Sequence, residues 1–577
     1  MTRRRNLRWT AGLLLGLGLF LVALASSPTA GLRLAAFRTL LGRLPPALSG
    51  TVRQCVPGGD PLSPALASGL ERCRELARAT AVVVHKRSGR IVRADLVQRL
   101  SPRARRGYGA VTSLDRLGER LARAALATLA VALLMMALWI FAVFPVPVTA
   151  LLPLLLFPVL GVADLIHPAF PGGFGVGAMY GHHLIFLFMG TFMLSRAMIR
   201  WHLDRRVALR ILATFGSRPA VLMLGFILTA AFLSMWISNT ATAAMMVPIA
   251  LAVVDRIEHP EAERYATGVL LSVAYGATVG GIATLVGSPP NGIYAGFVVA
   301  LTGKSVGFTD WMRFGLPFTV LFLPVLWATQ ALRFVPAGLR LPERAGSRPS
   351  PMNGGEKGVA AVFVLMVALW LTRSPISVIS WPGWSSLAPA GFSLGWANDT
   401  SVALLGAVLL FGIPARDVEG QATFLLDQKS GFDISWGTLI LFGGGLALGQ
   451  AIANTGLAIW LASALEVVSA AGIHVVLLAV AAFGSVITEV TSNTATATML
   501  MPVLFALGRS MGGQERALMA TGAVATSLAF MLPIATPPNA VAYGTGKVSM
   551  GQMARAGAIL NLLAVLIWWA VASFSVL

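Results

Sequence analysis

Residues 238–250 read SNTATAAMMVPIA, and residues 492–504 read SNTATATMLMPVL. Eight of the thirteen positions are identical, and the copies lie 492 − 238 = 254 residues apart. The same offset carries Leu187-Phe188-Met189-Gly190 onto Leu441-Phe442-Gly443-Gly444. A second polar break follows each copy: Gly287-Ser288-Pro289-Pro290-Asn291 in the first half, Ala535-Thr536-Pro537-Pro538-Asn539 in the second. Three landmarks in one order in both halves mark an internal repeat.

Each Ser-Asn-Thr lies between two apolar arms, 219–237 and 241–254 in the first half, 473–491 and 495–508 in the second. A membrane span needs roughly 20 apolar residues, so neither arm spans comfortably alone, yet no charged loop divides them. Two readings follow. One is a re-entrant hairpin, 219–254 and again 473–508, with its polar tip near mid-membrane. The other is a continuous helix that packs Ser-Asn-Thr against neighbouring helices. The combined length of each pair favours the hairpin, whose non-helical tip must be buried in protein or line a wet cavity. The Pro-Pro pairs in 266–302 and 515–548 remove backbone donors and disrupt the preceding turn, so both stretches are expected to be broken helices. Carbonyls at one end of a break suit a hard cation such as sodium; N–H groups at the other suit an anion.

Composition sets this in a bilayer. The chain has 577 residues, 56% hydrophobic and 12% charged, too little polar surface for a soluble protein of this size. Eleven apolar stretches read as spans: 9–26, 124–146, 149–165, 183–200, 266–302, 314–334, 358–372, 400–413, 436–465, 515–548 and 556–576. The predicted fold is therefore an all-α polytopic membrane protein. It divides into a first transmembrane helix (1–26), a polar insert (27–120), a first repeat (121–335), a linker (336–357) and a second repeat (358–577). Each repeat holds five spans. Five is odd, so the copies are inverted, as in many secondary transporters.

A net charge of +21 suggests nucleic acid in a soluble protein. Here the arginines cluster in loops beside apolar segments, which excludes nucleic acid and marks cytoplasmic loops instead. With Arg3, Arg4, Arg5 and Arg8 inside, the count places 196–218 (Arg196, Arg200, Arg205, Arg206, Arg210) and the linker (Arg340, Arg344, Arg348, Lys357) inside too. The Arg-rich insert falls outside, which long loops tolerate. Cys55 and Cys73, both in the insert, either pair there or stand as two unrelated thiols. The N-terminal stretch reads as an uncleaved span, with a cleaved signal peptide as the alternative.

The chain resembles the divalent anion/sodium symporters, carriers of succinate, citrate and sulfate. The likeness is carried by FPVPVTALLPLLLFPVLG (144–161), HLIFLFMGTFMLSRAM (183–198), SNTATAAMMVP (238–248), GGIATLVGSPPNGIYAG (280–296), LILFGGGLALGQAIANTGLAIWL (439–461), ITEVTSNTATATMLMPV (487–503) and ATPPNAVAYGTG (535–546). It covers 124–577 well and 1–26 loosely; the insert has no counterpart. The resemblance implies two sodium sites, one from Ser234, Ser238, Asn239 and the Gly287 carbonyl, the other from Thr488, Ser492, Asn493 and the Ala535 carbonyl. Ser234 and Thr488 each stand four residues before their motif, one helical turn along the same arm. The anion would be held by Asn239, Thr240, Ser288, Pro289, Asn493, Thr494, Thr536 and Pro537. Neutral donors suit a cargo that must be released. The resemblance further implies an elevator, in which a transport domain moves against a scaffold that forms a homodimer, in a bacterial plasma membrane.

Several residues invite a functional reading. Glu489, an ionisable group inside a hairpin, either titrates in coupling or braces the hairpin, and bracing is favoured. His182 and His183 read as interfacial packing rather than metal ligands. Asp399 and Asp433 read as helix-start carboxylates, and Gly443–Gly445 as a close-packing site. No nucleophile–base set or zinc spacing stands out, which argues against an enzyme. A sodium-independent exchanger in the same fold and an anion channel are the rival readings; intact hydroxyls at Ser234 and Thr488 favour the symporter.

Overall fold

The computed structural model describes residues 2–29, 32–33, 35–36, 81–84, 91–93, 112–163, 173–341, 351–375, 381–387, 394, 396–417 and 419–576. Cys55 and Cys73, and most of the insert, lie outside them. Among the described residues, seven helices are long and apolar enough to cross a membrane: Gly118–Ile140, Gly175–Arg200, Ala262–Ile282, Phe308–Phe334, Gly354–Thr372, Trp436–Thr455 and Met550–Ser575. The remaining expected spans are shorter: Leu13–Ala25, Val146–Val159 and Asp399–Gly412 are short apolar helices. The stretch 515–548 is two pieces, Glu515–Ala525 and Pro537–Gly544. The expected span at 436–465 stops at Thr455, where Gly456 (φ +86°) turns the chain into Leu457–Ala464.

Two small β elements qualify the all-α expectation. In the insert, Ala81–Val84 pairs antiparallel with Ile91–Arg93 and with Thr112–Ser113. Near the middle of the second repeat, Pro414–Arg416 pairs with Ala422–Phe424. The first helix, Thr2–Ala25, packs on Leu114–Ile140, where Gly16 comes up against Leu134 and Ala137.

The offset of 254 carries over to the helix limits. Pro219–Ser234 maps onto 219 + 254 = 473 to 234 + 254 = 488, and the observed helix is Ile473–Thr488. Asn239–Val254 maps onto the start of Asn493–Ser510 in the same way.

Hydrogen bonds fix the course of each pair of arms. At one end of the first pair the Tyr265 hydroxyl donates to the Pro219 carbonyl (2.8 Å). At the other, Thr284 Oγ1 donates to the Met235 carbonyl (2.6 Å). Pro219–Ser234 therefore runs parallel to Ala262–Ile282. The second arm returns: Asp255 pairs with Lys547 (2.8 Å), whose carbonyl accepts from Thr267 Oγ1 (2.8 Å). Both arms thus begin and end beside residues 265–267, and the pair is a helical hairpin rather than one continuous helix. In the second half Ser485 Oγ donates to the Leu528 carbonyl (2.8 Å) and Gly508 packs on Glu515.

The two loops expected on one membrane face meet. Arg206 of 196–218 pairs with Glu356 of 336–357 at 2.7 Å, side chains 16% and 5% exposed. Glu356 also closes the capping box with Asn353 that starts Gly354–Thr372.

Candidate functional site

The tips are made by hydroxyls folding back onto asparagines. Ser234 Oγ donates to Asn239 Oδ1 (2.6 Å), and Thr488 Oγ1 donates to Asn493 Oδ1 (2.7 Å). The four-residue lead read from the sequence thus places each hydroxyl under its amide. Ser238 is the N-cap of the returning arm, its Oγ accepting from Ala241 N (3.2 Å). Ser492 holds the same position without a side-chain cap.

The breaks are braced by the asparagines that follow Pro-Pro. Asn291 Nδ2 donates to the carbonyls of Gly281 (2.9 Å) and Thr284 (2.7 Å). Asn539 Nδ2 donates to those of Ala529 (3.2 Å) and Leu532 (3.1 Å). Each amide thus replaces backbone donors that the interrupted helix lacks. Pro289 and Pro290, and likewise Pro537 and Pro538, fill the first two helical positions. Those positions contribute no N–H, and the next amide is engaged: Asn291 N bonds to the Ser288 carbonyl (3.1 Å), Asn539 N to Thr536 Oγ1 (3.3 Å). This corrects the expectation of an amide-rich anion end; hydroxyls and side-chain amides remain.

Tip and break touch in the first half. A Cβ on Gly281 would stand 2.4 Å from Asn239 Oδ1, and one on Gly287 would stand 2.6 Å from the Gly281 carbonyl oxygen and 3.0 Å from that of Ser234. Only glycine permits this approach. It gathers the oxygens of Ser234, Asn239 and the 281–287 backbone into a set of the hard, neutral kind that suits sodium.

Both junctions open on one cavity of about 590 Å³. All eight residues expected to hold the anion line it: Asn239, Thr240, Ser288 and Pro289 from one half, Asn493, Thr494, Thr536 and Pro537 from the other. Ser238, Gly287, Ser492 and Ala535 line it as well. Ser234 and Thr488 do not; fully buried, they stand behind their asparagines.

The opposite wall is one face of His183–Arg200, with Phe188, Phe192 and Arg196 among its residues. Sequence reasoning missed this wall, although the spacing 188, 192, 195, 196, 199 is a helical stripe. Asp433 also lines the cavity. It is not a helix-start carboxylate as read: the N-cap of Trp436–Thr455 is Ser435, and Asp433 pairs with Arg196. Asp399 likewise does more than cap. It pairs with Arg373 (2.5 Å) and accepts from Phe308 N (2.7 Å), while Asn398 is the cap.

Glu489 takes the bracing role. Its Oε1 accepts from the amides of Phe530 (2.8 Å) and Met531 (2.9 Å) and from Asn561 Nδ2 (2.7 Å), and Oε2 from Leu532 N (3.0 Å). His182 caps the helix it precedes and His183 contacts Thr400. Among the described residues no three His, Cys, Asp or Glu side chains gather as a metal site. Gly443 and Gly444 pack on Tyr180 and Ala150, as the close-packing reading requires.

Paired hairpin tips and broken helices around one polar cavity, in a multi-pass helical membrane protein, define a membrane transporter. The chain belongs to the sodium:sulfate symporter family: the model described as "Sodium:sulfate symporter transmembrane region" matches residues 116–576. It is 37% identical over 454 residues to a protein of Staphylococcus saprophyticus named sodium-dependent dicarboxylate transporter SdcS, covering 76% of this chain and 84% of that one. An SdcS of Staphylococcus aureus is 35% identical over the same shares. In fold, the chain is similar to the YdaH transporter of Alcanivorax borkumensis (TM-score 0.51, 14% identity, 69% of this chain and 85% of that chain).

Proposed function

We propose that this chain is a sodium-coupled symporter of a divalent anion, a C4-dicarboxylate such as succinate or a related carboxylate or sulfate. The observation that carries the reading is the convergence of two tip-and-break junctions on one cavity. Each junction supplies a cation set, Ser234, Ser238, Asn239 and Gly287 in one half, Thr488, Ser492, Asn493 and Ala535 in the other. The anion lies between them on Asn239, Thr240, Ser288, Pro289, Asn493, Thr494, Thr536 and Pro537. Relatives named for sodium and dicarboxylate support the choice of cargo. Sodium completes the tips, so the anion site forms only when the cations are bound, and coupling lies in that order.

The hairpins are re-entrant, the two repeats inverted, and the module that carries them moves as an elevator against a scaffold that holds a homodimer in the plasma membrane. The N-terminus lies in the cytoplasm and the insert outside. A sodium-independent exchanger is the alternative.

Uptake of radiolabelled succinate and sulfate into proteoliposomes, with and without an inward sodium gradient, tests this. Sodium-dependent, saturable uptake that fails in Asn239→Ala and Asn493→Ala is expected. Uptake indifferent to sodium but dependent on internal anion makes the protein an exchanger and removes the cation sets.

A further inference from the structure

The cavity has a neutral wall and a charged one. Tips and breaks bring only uncharged side chains; Arg196 and Asp433 are the charged residues among those lining it. Arg196 Nη2 bonds to Asp433 Oδ2, while its Nε is buried with no partner among the described residues. The pair is open to solvent, with side chains 35% and 69% exposed. Pairs this open contribute little to stability and exchange partners readily. The ion pairs Arg206–Glu356 and Arg373–Asp399 are far more enclosed and lie away from the cavity.

Position adds direction. Phe188, at one end of the lining stripe, packs on Gly292 in the helix that follows the first Pro-Pro. Arg196 lies 196 − 188 = 8 residues further, about 12 Å along the axis at 1.5 Å per residue. It is one turn from Arg200, which pairs with Asp427 at 2.6 Å. The exposure of Asp433 places the Arg196 pair at the solvent side of the cavity.

We propose that Arg196 is a second anion subsite, a sodium-independent station for a carboxylate or sulfate group at the cavity mouth, and that Asp433 is its tethered competitor. The ligand rests on the function proposed above. A guanidinium fork matches a carboxylate or sulfate edge and binds it through paired, charge-assisted hydrogen bonds. Left free, it would hold the cargo. Here Asp433 is displaced when the anion arrives and returns when it leaves, so the station attracts without trapping.

The test is thermal stabilisation of the full-length protein in detergent by succinate and by sulfate, titrated with sodium and with choline in its place. Asp433→Asn is expected to show stabilisation in choline, half-saturating at about fivefold lower succinate than the wild type. Asp433→Ser, which frees the same guanidinium by another side chain, must behave alike. Adding Arg196→Leu to either must abolish the choline response. A choline response in both Asp433 variants no stronger than wild type, or one that survives Arg196→Leu, overturns the subsite. Absence of any sodium-dependent response in the wild type overturns the proposed function instead, and the choline arm still decides the subsite.

Discussion

The two repeats solve one problem with different chemistry. The first broken helix ends at Ile282 and resumes at Pro289; the second ends at Ala525 and resumes only at Pro537. The short gap is tied by neutral groups, Asn291 to two carbonyls and Thr284 to the Met235 carbonyl. The longer gap turns three amides, those of residues 530–532, towards one carboxylate. That carboxylate is Glu489, and 489 − 254 = 235 puts Met235 at its place in the first half. A buried amide needs an acceptor. Where the gap is short, the chain supplies acceptors from its own backbone; where it is long, the two oxygens of one side chain replace several. The second junction therefore carries an acidic side chain beside Thr488, and the first carries Met235 in its place.

The strongest way to break this comparison is Glu489→Gln. The substitution is nearly isosteric, but it turns one acceptor oxygen into an N–H facing backbone N–H groups and leaves buried donors unpaired. A loss of about 3 kcal/mol in stability is expected, with sodium-driven uptake falling below a tenth of wild type. Met235→Leu, at the equivalent place, should leave uptake within about twofold, since only its backbone carbonyl serves the break. Thermal unfolding in detergent and initial uptake rates measure both. Equal effects at the two positions would mean that the halves are braced alike.

Gly281→Ala sharpens the comparison next. The asparagines Asn291 and Asn539 bond to Gly281 and Ala529, so the second half already carries a Cβ where the first has none. In the first half that Cβ would stand 2.4 Å from Asn239 Oδ1. Displacing the amide oxygen should raise the sodium concentration for half-maximal uptake about tenfold, or about 1.4 kcal/mol. Ala529→Gly should shift it by less than about twofold. A Gly281→Ala protein with unchanged sodium dependence would detach Asn239 from the cation set.

What could be read from the chain, and what could not, follows the range of the interactions. The tips were legible because Ser234 lies one turn from Ser238 and Thr488 one turn from Ser492. The breaks were legible because proline lacks an N–H wherever it sits. The partners of Glu489, by contrast, lie 41 to 72 residues away, and Arg196 and Asp433 are 237 apart. No periodicity encodes such pairs. Asp433 therefore read as a helix-start carboxylate, although its neighbour in space is an arginine on the distant helix His183–Arg200. The turn at Gly456 was hidden for another reason: the residues on both sides are apolar, so hydropathy runs through a bend that only the backbone angle reveals.

The smallest expected difference concerns the tip hydroxyls. Ser234 Oγ has one acceptor, Asn239 Oδ1. Thr488 Oγ1 lies within bonding distance of two, Asn493 Oδ1 (2.7 Å) and the Thr526 carbonyl (2.9 Å), and so joins the tip to the break. Removing either hydroxyl deletes one hydrogen bond at a fully buried position, about 1 kcal/mol, or about fivefold in sodium half-saturation. Thr488→Ala should add a loss of thermal stability that Ser234→Ala lacks, because the one proton removed is shared between two buried acceptors, Asn493 Oδ1 and the Thr526 carbonyl. Thr488→Ser restores the hydroxyl without the methyl and should recover the sodium dependence of wild type. If Thr488→Ser stays as impaired as Thr488→Ala, the methyl's packing rather than the oxygen sustains the second tip. The two halves would then differ at their tips as well as in the bracing of their breaks.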